Sequence, residues 1–202
     1  MTDPNDPARP RYPEGARLPA PFEPYVVDSS ERIYDSYWCG LRRDQLRLEN
    51  GELQEYHVFE IANAVAIVPL TKEGEILMLA HYRHPASATG WETPAGRIHD
   101  GEEPADAARR ELLEETGYRA GRLVPLPGFH PTGGISAHYA HAFVALDCEP
   151  DREPDLDPCE RLRLAKVPLA EAEALLDSGS IADAFTALPL AYFLRKRAAG
   201  EL

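Results

Sequence analysis

The chain has 202 residues, 44% of them apolar, and a formal net charge of −13 at pH 7. That length suits one domain with an extension, or one domain with a small companion. The charge argues against polyanionic nucleic acid as a partner, and the lack of any run of about 18 apolar residues argues against a membrane span.

The predicted elements begin with "MTDPNDPARPRYPEGARLPAPFEP", residues 1–24. It has no apolar core of a signal peptide, and its prolines predict an extended or disordered arm. Residues 25–60 follow, where "QLRL" and "LQEYHVF" flank the turn signal "ENGE" and predict a hairpin. "NAVAIVPL" is a short, nearly continuous apolar run and reads as a buried strand. "KEGE" turns into "ILMLAHYR", and in "TGWETPAGRI" Pro94 and Gly96 read as strand terminators. A helix then runs over Ala105–Thr116, with Pro104 in its first turn and Gly117 at its C-terminal cap. Ala105, Ala108 and Leu112 form its apolar stripe. "GRLVPLPGFH" and "AHYAHAFVALD" read as strands, "CEPDREPDLDPCE" as an acidic loop, and "RLRLAKV" as a last strand. "LAEAEALLDSG" is a helix ended by Gly179, and "IADAFTALPLAYFLRKRAAG" is a C-terminal helix kinked at Pro189. This order predicts a mixed sheet held between helices. Cys39, Cys148 and Cys159 are an odd set without CxxC spacing, which fits a reducing compartment such as the cytoplasm rather than a disulfide framework or zinc site.

The helix carries a concentration of charge. Glu111 and Glu115 are i and i+4, one above the other, and Glu114 borders the same face. Like-charge pairs at this spacing destabilise by a few tenths of a kcal/mol, to order of magnitude. One reading is a solvated acidic face. The other is a platform for a hard divalent cation, which takes oxygen ligands and also holds substrate phosphates. Arg110 beside the patch and Glu102 in the preceding loop form either a planar, bidentate clamp from loop to helix or a surface ion pair of little energy.

Gly96, Glu102, Arg110-Glu111-Leu112, Glu114-Glu115 and Gly117-Tyr118 stand at the spacing G-x5-E-x7-R-E-U-x-E-E-x-G-U, where U is a bulky apolar residue. This resembles the Nudix box, and every fixed position matches. The only mild departure is the aromatic at the final U. The resemblance implies a Nudix α/β/α sandwich with a mixed sheet and metal-dependent cleavage of a nucleoside diphosphate linked to another group. It extends further. His81-Tyr82-Arg83 and Glu92-Thr93-Pro94-Ala95-Gly96 are similar to the Q-[YF]-R and E-x-P-A-G elements of ADP-ribose pyrophosphatases, and Gly179, Ile181, Asp183 and Thr186 match their G-x-I-x-D-x-x-T segment. In that branch the N-terminal strands form a small antiparallel β subdomain that packs across a homodimer. Residues 25–60 would do so here, with the Nudix domain over 61–202.

The resemblance assigns metal binding to the Ala95 carbonyl, Glu111, Glu115 and Glu114, with two or three Mg²⁺ ions, or Mn²⁺, per site. Gly96, Glu102, Arg110 and Gly117 are structural box positions. Two stretches depart from the family. "DPCERL" stands where E-x-E-D-[IL] is usual, so Pro158 replaces the first glutamate and Glu160 matches the second. Glu160 and Asp157 are therefore both candidates for the water-activating base, with Glu114 also among the catalytic carboxylates. Thr132-Gly133-Gly134 and His138 occupy the place of S-P-G-x-x-x-E. Arg83 and Glu92 are assigned to substrate, with Arg83 on a phosphate or the terminal sugar. Trp38 and Tyr56 are candidates to stack the base, with core packing the alternative for each. The expected substrate is ADP-ribose or a related nucleoside diphosphate sugar, hydrolysed to a nucleoside monophosphate and a sugar phosphate. The rivals are a UDP-sugar or GDP-mannose pyrophosphatase, and a Nudix nucleotide-binding module without turnover.

Overall fold

The computed structural model describes residues 22–202. The proline-rich arm lies outside the described residues except for 22–24, which are exposed coil. The chain separates into two compact units. One runs to Ala62 and takes in Thr132–His138, and the other holds Asn63–Pro131 and Tyr139–Leu202.

The first unit is a three-stranded antiparallel meander, β1 (Val26–Asp35), β2 (Gly40–Arg47) and β3 (Leu53–Glu60). The expected hairpin is β2–β3. Its turn closes through Gly51, which adopts φ +84°, a value that costs glycine little. Arg32↔Arg42↔Val58 and Ser30↔Asp44↔Tyr56 are cross-strand ladders, so these side chains share a face. Arg42 and Arg32 bind Glu60, and Arg42 and Ser30 bind Asp44. Thr132–His138 joins the unit through the Phe59 N–H, which donates to the Ile135 carbonyl at 2.7 Å, and the Tyr56 hydroxyl, which donates to the Gly134 carbonyl. His138 thus lies in this segment and not in a strand.

The second unit is a mixed sheet between helices. Its strands are β4 (Ala64–Thr71), β5 (Glu75–Arg83), β6 (Ala88–Glu92), β7 (Ala95–Arg97), β8 (Tyr118–Arg119), β9 (Arg122–Phe129), β10 (Ala140–Pro150) and β11 (Leu162–Pro168). The path is β11-β5-β4-β10-β8, with β6 on β5, β7 on β4 and β9 on β10. β4 and β10 run parallel, and the other pairings are antiparallel. The helices are α1 (Pro104–Thr116), α2 (Leu169–Asp177) and α3 (Ala184–Ala198). The last continues through Pro189 as one element, and its Arg195, Lys196 and Arg197 complement the negative end of the helix dipole.

β4 explains the layering. Successive side chains point to opposite faces, and every residue of β4 is buried. Val65 and Ile67 join Leu77, Ala107, Ala108 and Leu112 on the α1 side. Val68 and Leu70 join Ile76, Met78, Leu190 and Phe193 on the side of α2 and α3. Each large aliphatic side chain so buried contributes about 1.5–3 kcal/mol. Ala105 of the predicted stripe packs only partly against this core.

Two further sequence expectations need correction. Gly96 does not end a strand, because it sits inside β7 and pairs with Val65. A Cβ there would overlap the Glu111 carboxylate, so the glycine answers a close approach of helix to strand. "CEPDREPDLDPCE" is not loop from its start either. Cys148–Pro150 extend β10, where Glu149 and Pro150 pair with β8.

Candidate active site

The box helix α1 begins at Pro104 and stops where Gly117 turns to φ +74°, its N–H bonding the Leu113 carbonyl at 2.9 Å. Between these ends its buried face carries Ala107, Ala108, Leu112 and Thr116, and also Glu111 and Glu115. Glu111 retains 9% of its surface and Glu115 only 3%. Two ionisable groups are thus carried into the interior on a face otherwise built for packing.

Arg110 organises the outer edge of this face. Its Nε and Nη2 donate to the Glu102 oxygens at 2.8 and 2.9 Å, a bidentate pair. Nη2 also donates to the Arg97 carbonyl at 2.9 Å, and Nη1 to Glu111 Oε1 at 2.7 Å and Glu114 Oε2 at 3.0 Å. The sequence pointed to the Glu102 pair but not to the other three bonds, because they depend on the orientation of the whole guanidinium. Arg110, together with the His99 N–H that donates to Glu102 Oε2, holds the Glu102 carboxyl down at about 2. Burial pushes the Glu111 carboxyl up, partly offset by Arg110. Burial also pushes Glu115 well up, and the charge of Glu111 adds to it.

The loop leading to the box meets these carboxylates. Ala95 N–H donates to Glu115 Oε2 at 3.1 Å, and Gly96 abuts Glu111. Pro94 C=O accepts the Ile67 N–H at 2.9 Å, which ties the loop to β4. Just upstream, Arg83 at the end of β5 binds buried Glu92 at the end of β6, Nε at 3.0 and 3.1 Å and Nη2 at 2.7 Å. His81, also buried, has Nδ1 3.3 Å from Glu92 Oε2. Glu92 is therefore occupied by Arg83 and His81, while half of the Arg83 side chain remains exposed.

The charge of Glu160 reaches this cluster: it adds to the burial that raises Glu111 and Glu115, and opposes in part the burial that lowers His81. It also folds its own loop, with Oε2 accepting the Asp157 N–H at 2.9 Å. The Tyr82 N–H donates to the Arg161 carbonyl at 2.9 Å, which docks this loop on β5. Asp157 is exposed. The second unit thus brings together Ala95, Gly96, Glu102, Arg110, Glu111, Glu114 and Glu115, with Arg83 paired to Glu92. Trp38 and Tyr56 lie in the first unit. Trp38 is 64% exposed and meets Tyr37 edge-on at 5.1 Å between centroids, and the Tyr56 hydroxyl is committed to Gly134.

Sequence reasoning gave no role to His81, Asp183 and Thr186. Asp183 caps α3, its Oδ2 accepting the Thr186 N–H and hydroxyl at 2.9 Å each. Burial raises the Asp183 carboxyl, and the charge of Glu92 raises it further. The spacing D-x-x-T ahead of an apolar helix was the available signal.

Among the described residues no three His, Cys, Asp or Glu side chains converge as a ready cation cage. The donor set nonetheless fits a hard divalent ion. It offers oxygen only, and Glu115 is a buried carboxylate that accepts the backbone N–H of Ala95.

An α/β/α sandwich with a box helix of this kind defines a Nudix hydrolase. A NUDIX domain profile matches residues 60–188, and a nucleoside diphosphate sugar hydrolase N-terminal domain profile matches residues 27–59. The chain belongs to the Nudix family and is a pyrophosphohydrolase of the ADP-ribose pyrophosphatase-like kind. It is 33% identical over 171 residues to the ADP-ribose pyrophosphatase of Bacillus subtilis (strain 168), covering 84% of this chain and 92% of that one. It is 30% identical over 172 residues to the methanol dehydrogenase activator of Bacillus methanolicus, covering 85% and 92%. A crystal structure of an ADP compounds hydrolase superposes with a TM-score of 0.78 at 23% identity, covering 90% of this chain and 99% of that one, a likeness of fold.

Proposed function

We propose that the protein hydrolyses the pyrophosphate bond of ADP-ribose or a closely related nucleoside diphosphate sugar. The observation that carries this reading is the burial of Glu111 and Glu115 against the Ala95–Gly96 backbone. Ala95 through its carbonyl, Glu111, Glu115 and Glu114 would hold Mg²⁺ or Mn²⁺, two or three ions per site. Such ions screen phosphate charge and make a bound water more acidic.

The chain's own residues do the rest. Arg83, pinned by Glu92, presents a guanidinium to a phosphate oxygen. Glu160 accepts a proton from the attacking water. The water oxygen bonds to one phosphorus, the bridging P–O bond breaks, and a nucleoside monophosphate and a sugar phosphate leave. Asp157 is the lesser candidate base because it is exposed and its N–H serves to hold Glu160. Trp38 offers an exposed aromatic face for the base.

The functional species we propose is a cytoplasmic homodimer. The first unit supports it by leaving Val26, Tyr34, Tyr37, Trp38 and Leu53 exposed. Large apolar side chains left exposed in one small unit are the kind of surface that a second copy would cover. The three free cysteines fit a reducing compartment, and no helix among the described residues is long and apolar enough to cross a membrane.

The test is a product-release panel of ADP-ribose, UDP-glucose and GDP-mannose with Mg²⁺, using wild type and Glu111→Gln. ADP-ribose should be cleaved best, and Glu111→Gln should lose at least about 100-fold in rate while staying folded. Preference for UDP-glucose or GDP-mannose would move the assignment to those sugars. A flat null would favour a nucleotide-binding module.

A further inference from the structure

The N-terminus of α3 has no part in the chemistry above, yet it grips the loop that does. Thr186 is fully buried, and its Oγ1 accepts the Thr93 N–H at 2.9 Å. The same hydroxyl donates to Asp183 Oδ2 at 2.9 Å, so its acceptor lone pairs are turned toward Thr93. Asp183 Oδ2 also takes the Thr186 N–H, which fixes the carboxylate as the helix cap. Thr93 itself is buried, and its own hydroxyl has no hydrogen-bond partner among the described residues. The hold on this residue therefore runs through its backbone N–H.

Thr93 lies in the middle of a strip whose neighbours all bear on the site. Glu92 before it anchors Arg83. Pro94 after it is tied to Ile67, and Ala95 to Glu115. A short strip fixed at each residue can move only if one of these bonds gives, and the Thr186 bond is the one made by a distant helix.

We propose that Thr186, held by Asp183, is a positioning residue whose hydroxyl sets the Glu92–Ala95 strip, and through it both the Arg83 clamp and the Ala95–Glu115 contact. This rests on the reading of Ala95, Glu111 and Glu115 as the cation-holding set. Removing the hydroxyl leaves a buried N–H unpaired and frees the strip to shift by the fraction of an ångström that a coordinated ion does not tolerate.

The experiment compares Thr186→Val, which keeps shape and loses the hydroxyl, with Thr186→Ser, which keeps the hydroxyl, in the full chain with Glu115→Gln as reference. Mn²⁺ binding is measured without substrate by electron paramagnetic resonance. kcat and KM are measured on the best nucleoside diphosphate sugar, and folding by circular dichroism. Thr186→Val should bind Mn²⁺ about tenfold more weakly and lose about tenfold in kcat, as outer-shell partners of metal sites do. Thr186→Ser should stay within about twofold of wild type, since it keeps the donor and acceptor. Wild-type binding and turnover in Thr186→Val overturns the proposal, as does Thr186→Ser impaired as badly as Thr186→Val. Should Thr186→Val fail to fold, Asp183→Ala decides: it leaves the hydroxyl without its acceptor, so weaker Mn²⁺ binding and lower kcat support the proposal and wild-type values overturn it. Glu115→Gln binding Mn²⁺ as wild type does would sink the cation assignment alone, and the contrast in kcat between Thr186→Val and Thr186→Ser would still decide the anchor.

Discussion

Arg110 and Glu102 face each other through two parallel hydrogen bonds at 2.8 and 2.9 Å, and the same guanidinium carries Glu111 and Glu114. The pair therefore closes the loop before α1 and also steadies the first carboxylate of the buried face. That double duty makes it more than a surface ion pair, a view its low exposure supports.

Glu102 should report this in acid. Its carboxyl is held at about 2 in the fold against an ordinary 4.5. A depressed carboxyl stabilises the fold above its unfolded value, and that contribution is lost as pH falls toward its folded value. Glu102→Gln should cost about 2 kcal/mol at neutral pH, the scale of hydrogen bonds to a charged group. Urea titrations of both proteins should show the gap narrowing from about pH 4.5 down toward about pH 2. A gap independent of pH would refute the assignment.

Gly96→Ala tests the approach of β7 to α1. The added Cβ would overlap the Glu111 carboxylate, which must then swing away. The protein should remain folded, because Gly96 has ordinary strand backbone and φ does not require glycine. Turnover should drop by about 100-fold, the scale for loss of a preorganised charged group. Steady-state kinetics with circular dichroism as control would check it.

Gly117→Ala should act on stability instead. There both constraints coincide: φ is +74°, and a Cβ would overlap the Arg152 carbonyl. A loss of about 1–3 kcal/mol in unfolding free energy is expected, since a strained left-handed residue and a backbone clash add. Denaturant titration of the metal-free protein measures it. An unchanged midpoint would mean that the helix ends differently from the way described.

Glu160→Gln and Asp157→Asn separate the two candidate bases. Loss of a general base costs about 100-fold or more in kcat. Glu160→Gln should show such a loss, with Mn²⁺ affinity within about threefold of wild type, and Asp157→Asn should show little change. The reverse pattern would hand the role to Asp157.

Much of this was legible in the sequence where structure is local. The spacing of Glu111 and Glu115 on one helix face follows from helical periodicity, as does the cap at Gly117. The nearly continuous apolar run of β4 announced a buried strand, and every residue of it is buried. What escaped depended on distant partners. Gly96 looked like a terminator because glycine in a strand has no local explanation, and the explanation is the Glu111 carboxylate. Asp183 and Thr186 showed their spacing but not their purpose, since Thr93 lies 93 positions away from Thr186. Pro158 breaks the family pattern beside Glu160, and nothing local revealed that Glu160 would fold back on the Asp157 N–H.

The division of the chain has a consequence for how this protein could be recombined. The first unit is not a prefix that can be traded. Its Thr132–His138 segment is threaded from between β9 and β10, far downstream of the meander it joins. A graft that replaced residues 25–60 with strands from another protein would bring foreign edges to Phe59 and Tyr56 while leaving behind the Ile135 and Gly134 carbonyls they serve. Inheritance must therefore move both pieces together, so this architecture should evolve by gradual substitution rather than by shuffling of parts.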